Sequence, residues 1–139
     1  MIGSPFLINT FGLPSQNDTS DSSFSILSYN AKFFRSPNVY NEFSQALISE
    51  VINDTSDIKC IQEFSTNNRW KGLDISERIK SKGYSSYEYA APIPELLHSP
   101  GLAIFSKFPI IYADTIWTSR GKSNAGIYSD IYVNTDTIR

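Results

Sequence analysis

Two apolar runs of strand length, each ending on polar residues, dominate the hydrophobic pattern of the chain. The first run, residues 24–30, is predicted to be a buried strand that ends on the amide of Asn30. The second run, residues 57–63, is predicted to be a strand that ends on Gln62 and Glu63. The other predicted elements lie between these two strands or after them.

The segment between the two strands has a pattern typical of an amphipathic helix. The helix is predicted to begin near residue 38 or 41 and to end at the polar residues 53–56. A strand, a helix and a strand in succession form a right-handed crossover with parallel strands, which end at the same edge of a sheet. We therefore expect Asn30 and Glu63 to lie side by side. The apolar positions on one helical face are Phe43, Ala46, Leu47 and Val51.

The later part of the chain predicts a short helix and then closely spaced strands that pair as an antiparallel meander. The helix is predicted near residues 73–82, with Gly83 directly after its end. The predicted strands are residues 85–90, 101–106, 110–118 and 127–133, followed by a hairpin turn at 134–136 and a return strand at 137–139.

Composition narrows the classes of function. The 139 residues are 40% hydrophobic, which is enough for one globular domain. Twelve basic and 14 acidic residues give a net charge of -2, so the chain lacks the basic field of a protein that binds long duplex DNA non-specifically. The single cysteine, Cys60, rules out an internal disulfide and a cysteine-based metal site, and we interpret it as a small buried hydrophobe.

The first 23 residues differ in character from the rest. Residues 1–13 hold short apolar strings, and residues 14–23 are almost entirely polar. A membrane-spanning helix needs about 20 apolar residues, so this segment is too short to span alone, and it lacks the basic start of a signal peptide. We therefore divide the chain into an N-terminal arm with a polar linker, residues 1–23, and a domain, residues 24–139.

Asn30 and Glu63 are the candidate chemical groups. A carboxylate beside an amide offers the oxygen ligands that a hard divalent cation prefers, and the carboxyl edge of an open α/β sheet is where ligands bind. An exposed strand-end glutamate and an asparagine that caps a turn are nevertheless the commoner fates of these residue types. Residue type alone therefore leaves the role of the pair open.

Four short pieces of the sequence, in this order, resemble the endonuclease/exonuclease/phosphatase superfamily. They are residues 28–30 (SYN), 61–63 (IQE), 101–110 (GLAIFSKFPI) and 128–131 (YSDI). The resemblance covers roughly residues 24–139 and corresponds to the N-terminal half of that domain. It implies an α/β fold, a four-layer sandwich of two packed mixed sheets flanked by helices, which is incomplete in this chain.

The resemblance implies a divalent-metal-dependent phosphoesterase that hydrolyses phosphodiesters or phosphomonoesters, as nucleases of the superfamily do. Its implied cofactor is Mg²⁺ or Mn²⁺, bound by Glu63 with support from Gln62, and its implied substrates are phosphate esters, nucleic acid among them. Asn30 is the second implied catalytic residue and contacts the substrate phosphate. Asn124, in a polar loop, is a further candidate for substrate binding.

Several parts that the resemblance implies do not occur in this sequence. These are a strand that ends in His-Leu, an Asp-x-Asn pair and a closing Asp-His, and His98 matches none of them. We therefore expect these residues to come from a longer parent, to be inactive alone and to self-associate through exposed apolar surface.

Two alternatives stay open. Bacterial members of the superfamily often carry membrane helices before the domain, so residues 1–13 are either the end of such a membrane-attached region, lying before residue 1 in the parent, or a strand-like arm. The alternative function is that of a non-catalytic interaction domain on the same scaffold.

Overall fold

The computed structural model describes residues 23–34, 42–65, 74–90, 101–117 and 125–139. The predicted elements in these ranges are present, with small shifts at their ends. No helix in these ranges has the length and apolar character needed to cross a membrane. The helices are α1, Glu42–Asn53, and α2, Ile75–Lys80. The strands are β1, Ile26–Asn30; β2, Ile58–Phe64; β3, Ser85–Ala90; β4, Gly101–Ser106; β5, Ile110–Trp117; β6, Ala125–Val133; and β7, Asp136–Ile138.

The strands form two sheets. The first sheet has the order β1-β2-β4-β3, with β1 and β2 parallel, as the crossover predicts, and the other pairs antiparallel. The second sheet has the order β5-β6-β7, and both of its pairs are antiparallel. The α/β class is thus confirmed. The expectation of two mixed sheets holds for the first sheet only, because the described strands of the second follow one another in sequence without a crossover helix.

The alternating side chains of β4 separate two hydrophobic clusters. Ala103 and Phe105 pack in the cluster beneath the helices, whereas Ile104 packs with Ile131 and Val133 of the second sheet. Successive side chains of a strand point to opposite faces, so the first sheet lies between the helices and the second sheet. The described residues therefore stack as a helix layer, a mixed sheet and an antiparallel sheet.

The buried face of α1 differs from the predicted one. Val51 is buried and Leu47 is half-buried, as predicted, but Ala46 is exposed. Ile48 and Ile52 are buried with Val51 instead. These three residues are also spaced as one helical face, and their larger side chains gain more from burial than Ala46 would.

Among the described strands, the first lies at an edge of its sheet and is less buried than its composition predicts. Ile26 is 42% exposed, Ser28 and Asn30 are exposed, and Tyr29 packs only partly against the cluster beneath the helices. An edge strand has a neighbour on one side only, so its side chains are covered less completely. As a result, the polar end of β1 is accessible to solvent.

Asp57 anchors the beginning of β2 through a polar network. Its carboxylate accepts hydrogen bonds from the backbone N–H and the hydroxyl of Ser25, each at 2.9 Å, and from the ammonium of Lys107 at 3.0 Å. The hydrogen bonds from Ser25 and Lys107 hold the pKa of Asp57 below its usual range. This network joins the segment before β1, the start of β2 and the residue after β4.

Lys59, the second residue of β2, is fully buried, and its amine reaches Asp54, the residue directly after α1. Its Nζ donates to the backbone carbonyl of Asp54 at 2.6 Å and to the Asp54 carboxylate at 2.8 Å. Nζ also lies 5.1 Å from the ring centroid of Tyr84. Burial opposes ionisation of Asp54, but the hydrogen bonds from Lys59 and Ser56 outweigh it and lower the pKa of Asp54. A positive charge is favoured at the C-terminal end of a helix.

We predict that acid destabilises the fold through Asp57 and Asp54. In the folded state the pKa values of Asp54 and Asp57 are lower than the value of an Asp in an unfolded chain, which is about 3.9. Near and below that pH, the unfolded state therefore binds more protons than the folded state. The stabilisation is therefore present above about pH 4 and is lost as the pH falls toward the folded-state values. Urea unfolding between about pH 6 and pH 2.5 measures this loss.

Two variants at the same network test the cause. Asp57→Asn removes the titrating group, and Lys107→Met removes one of its donors, so both should flatten the acid dependence of the unfolding free energy, Asp57→Asn more strongly. An unchanged pH profile in both variants would contradict the assignment.

Candidate active site

The register of the parallel pair places the ends of β1 and β2 side by side. Asn30 lies opposite Gln62, and the next backbone N–H, that of Ala31, donates to the carbonyl of Gln62 at 2.8 Å. Asn30 and Glu63 therefore leave the sheet at the same edge, which is the carboxyl edge of both strands. This is the arrangement that the crossover pattern predicts.

A β-bulge at Glu63 changes the direction of the side chains at the end of β2. Gln62 is opposite Leu102 and Phe64 is opposite Gly101, so Glu63 is an extra residue without a partner on β4. Its φ is 49°, in the left-handed region that non-glycine residues rarely adopt. The extra residue lets Phe64 turn into the cluster beneath the helices, as an unbroken alternation would not. Glu63 is left half-buried at the edge.

Asn30 connects the two strand ends through its side chain. Its Nδ2 donates to Oε1 of Glu63 at 2.9 Å, and its Oδ1 accepts from the backbone N–H of Lys32 at 3.0 Å. The two contacts fix the orientation of the amide, since only the oxygen can accept from the backbone and only the nitrogen can donate to a carboxylate. Asn30 thus holds one oxygen of Glu63 in place.

The backbone that follows β1 is a left-handed turn, Lys32–Phe34. The φ values are 43° at Lys32, 58° at Phe33 and 52° at Phe34. A left-handed conformation costs non-glycine residues roughly 1–2 kcal/mol each. Phe34 is fully buried, and its ring makes an edge contact with the ring of Phe64 at 6.1 Å between centroids. The sequence predicts only a loop here, because no glycine or asparagine at these three positions signals a left-handed backbone.

The other candidates from the sequence lie elsewhere or contact other groups. Gln62 donates to the hydroxyl of Ser28 and the carbonyl of Cys60, both at 3.3 Å. Within the described ranges no hydrogen bond joins Gln62 to Glu63, and its supporting role stays a prediction. Cys60 is half-buried, and burial raises the pKa of its thiol, in keeping with a small hydrophobe. Asn124, like His98 and residues 1–22, lies outside the described residues.

Asp130, in the last of the four matched pieces, has a structural partner. Its two carboxylate oxygens accept from Nε and Nη2 of Arg139 at 2.6 and 2.7 Å. The guanidinium lowers the pKa of Asp130 and also lies over the ring of Tyr128, 4.7 Å from its centroid. This ion pair fixes the end of β7 to β6, away from the ends of β1 and β2.

A cavity lies between the two sheets beside Gln62, and neither Asn30 nor Glu63 is among its lining residues. The cavity has a volume of about 250 Å³ and is lined by Gln62 and Leu102 of the first sheet and by Ile127 of the second, among others. Its walls are mostly apolar. Concave apolar surfaces beside a few polar groups are typical of ligand sites.

At this edge the carboxylate of Glu63 offers oxygen ligands of the kind that a hard divalent cation takes. Glu63 offers a carboxylate whose Oε2 receives no hydrogen bond from the described residues. No group of three or more His, Cys, Asp or Glu side chains suitable for a metal ion occurs in the described part of the chain. Mg²⁺ commonly keeps several waters and binds through one or two carboxylates plus substrate phosphate, so one carboxylate at an open edge meets that pattern.

Solved structures of phosphatase and nuclease-type enzymes share this fold. Two are structures of ANGEL2, a 2',3'-cyclic phosphatase, the second in complex with adenosine-2',3'-vanadate; their TM-scores are 0.56 and 0.57 at 18% identity. The two alignments cover 79% and 80% of this chain, and each covers 37% of the ANGEL2 chain. A third is an endonuclease/exonuclease/phosphatase family protein from Leptotrichia buccalis C-1013-b, with a TM-score of 0.55 at 13% identity, over 82% of this chain and 51% of that one.

These similarities confirm the fold that the sequence resemblance implies. The chain shares the fold of these solved structures, one of which is an endonuclease/exonuclease/phosphatase family protein, and it spans between 37% and 51% of their length. No protein-family profile matches the sequence, and no curated protein matches it significantly. At this level of identity the similarity concerns the fold alone.

We predict that the bulge makes the glycine variant at position 63 more stable than the alanine variant, which is the reverse of their usual order of stability. Glu63→Ala and Glu63→Gly both lose the bond to Asn30, so they differ only in the backbone. With φ at 49°, the glycine variant should be more stable by about 1 kcal/mol, as measured by urea unfolding.

The matched control is the neighbouring pair Gln62→Ala and Gln62→Gly. Gln62 is not among the residues with positive φ, so here the alanine variant should be more stable, by about 0.5–1 kcal/mol. The same order at both positions would show that Glu63 is not strained.

Proposed function

We propose that this chain is part of a divalent-metal-dependent phosphoesterase in which Glu63 binds Mg²⁺ or Mn²⁺ and Asn30 orients Glu63 and the substrate phosphate. The observation that supports this most directly is the contact of 2.9 Å between Nδ2 of Asn30 and Oε1 of Glu63 at the carboxyl edge of parallel strands. The fold adds support, because its solved examples include a 2',3'-cyclic phosphatase.

In this proposal Glu63 is the ligand of the cation. Asn30 occupies Oε1, so Oε2 is the oxygen directed to the metal. A bound divalent cation stabilises the negative charge that develops on the phosphoryl oxygens during hydrolysis. The left-handed backbone at Glu63 holds the carboxylate at the edge rather than in the sheet.

Asn30 is neutral, so it positions the Glu63 carboxylate and the substrate phosphate without adding charge to the site. Its Nδ2 carries a second hydrogen, which we assign to a phosphoryl oxygen of the substrate. The contact between Oδ1 and the backbone N–H of Lys32 prevents the amide from rotating away. Preorganised donors of this kind need little rearrangement in the transition state.

The proposed substrates are phosphomonoesters, small phosphodiesters or short nucleic acids. A net charge of -2 and the absence of a basic run in the sequence make a long duplex footprint a poor fit. A role for Asn124 in substrate binding, attachment of the parent to a membrane and self-association of this chain stay predictions from the sequence.

We predict that Mn²⁺ binds at Glu63. In NMR spectra of the 139-residue chain, Mn²⁺ should broaden the backbone signals of residues 30–31 and 63–64 first. Glu63→Gln should weaken this binding by more than about tenfold, and Asn30→Ala by about tenfold, since partners of ligating carboxylates typically change affinity by 10–100-fold.

Glu77→Gln is the matched control, because Glu77 is an exposed carboxylate on α2 that pairs with Lys80. It should leave the broadening unchanged. Broadening centred on other residues, or unaffected by Glu63→Gln, would contradict the proposal and would favour a non-catalytic scaffold.

We predict that the 139 residues alone do not hydrolyse bis-p-nitrophenyl phosphate in the presence of Mg²⁺. The sequence contains a single histidine, His98, and none of the Asp-x-Asn or Asp-His pieces that the resemblance implies. Release of p-nitrophenolate, followed by its absorbance, checks this. Turnover that requires Mg²⁺ and disappears in Glu63→Gln would contradict the prediction while supporting the role of Glu63.

A further inference from the structure

The left-handed turn after β1 needs a compensating interaction. Lys32, Phe33 and Phe34 all have positive φ, and none of them is glycine. Lys32 is exposed and Phe33 is half-buried, so burial at these positions is concentrated at Phe34. The hydrogen bond from the N–H of Phe34 to the carbonyl of Ala31, at 2.7 Å, closes the turn.

Phe34 is held by a group of aromatic rings that also fixes the bulge. Its ring meets Phe64 edge-on, with an interplanar angle of 83°, and Phe64 meets Phe105 of β4 at 5.6 Å between centroids. Phe64 directly follows Glu63, so one ring contact connects the left-handed turn to the bulge. The two unusual backbone segments therefore share a single buried anchor.

The left-handed turn also fixes the side-chain amide of Asn30. Oδ1 of Asn30 accepts from the N–H of Lys32, which belongs to the same peptide unit as the Ala31 carbonyl that the N–H of Phe34 holds in the closed left-handed turn. With the oxygen held in this way, Nδ2 is directed to Glu63. A chain of contacts thus runs from the Phe34 ring through the turn to the carboxylate.

We propose that Phe34 is a positioning residue for the strand-end pair: its buried ring maintains the left-handed turn that orients Asn30 toward Glu63. The consequence for metal binding rests on the proposed function. The orientation of Asn30 does not, and it can be measured separately. Phe34 acts on the pair through the backbone of the turn.

The test compares Phe34→Leu with Phe105→Leu in the full 139-residue chain. Both phenylalanines are fully buried and both contact Phe64, so the two variants lose similar packing, but only Phe34 lies in the turn. The readouts are hydrogen exchange of the Lys32 backbone amide and the NMR signals of the Asn30 side-chain amide, recorded at matched global stability.

We expect Phe34→Leu to speed exchange at Lys32 by about tenfold or more and to shift the Asn30 side-chain signals, whereas Phe105→Leu changes exchange less than about threefold. Equal effects of the two variants would overturn the proposal, because a general loss of packing would then explain both.

A second pair of variants tests the same idea without changing the core. At exposed Lys32, Lys32→Gly suits the left-handed backbone and Lys32→Val opposes it. The valine variant should lose the Asn30 signal pattern of the wild type and the glycine variant should keep it. If both variants keep it, the turn does not orient Asn30 and the proposal fails.

Mn²⁺ titration separates this inference from the proposed function. If Phe34→Leu releases Asn30 and weakens Mn²⁺ binding more than Phe105→Leu does, both stand. If Phe34→Leu releases Asn30 while the wild-type chain binds no Mn²⁺ at Glu63, the positioning role of Phe34 stands and the proposed function fails.

Discussion

The extra residue at the end of β2 is the constraint on which the candidate site depends. A strand that alternates without interruption would place Glu63 on the helix side of the sheet and Phe64 on the opposite side. The bulge instead lets Phe64 join the buried cluster and leaves Glu63 at the edge, within hydrogen-bond distance of Asn30. The cost is a left-handed backbone at a glutamate, a type of strain that is often found at functional sites.

The two ends of the first sheet have opposite characters. At the beginning of β2, Asp57 and Lys107 form a bridged ion pair that joins three segments, and Lys59 is neutralised in the interior by Asp54. At the other end the backbone is strained and Asn30 and Glu63 are accessible to solvent. Charge pairs and hydrogen bonds at one end thus offset strain at the other.

The sequence predicted the strands, the crossover and the proximity of Asn30 and Glu63, because these follow from period and chain direction. It did not predict that β1 is an edge strand, since edge strands and central strands can have the same pattern of apolar residues. It placed Ala46 on the buried face of α1, because spacing alone cannot rank Ala46 against the larger Ile48.

The finer geometry of the site was also beyond the sequence. Left-handed φ at Glu63 and at Phe34 follows from tertiary packing, and neither residue type signals it. The pair Phe33-Phe34 in an otherwise polar loop was the available clue, since a large aromatic side chain in such a loop often marks an anchor to the core. The network around Asp57 could not be predicted because Ser25 and Lys107 are distant from it in sequence.

The burial of Lys59 makes this residue a natural reporter of the whole fold. Its amine is shielded from water, hydrogen-bonded to Asp54 and covered by the ring of Tyr84. A reagent that acylates amines can reach it only when α1 separates from the first sheet, while exposed lysines such as Lys82 react in the native state. The rate of acylation at this one side chain therefore follows the opening of the helix layer, without any added probe.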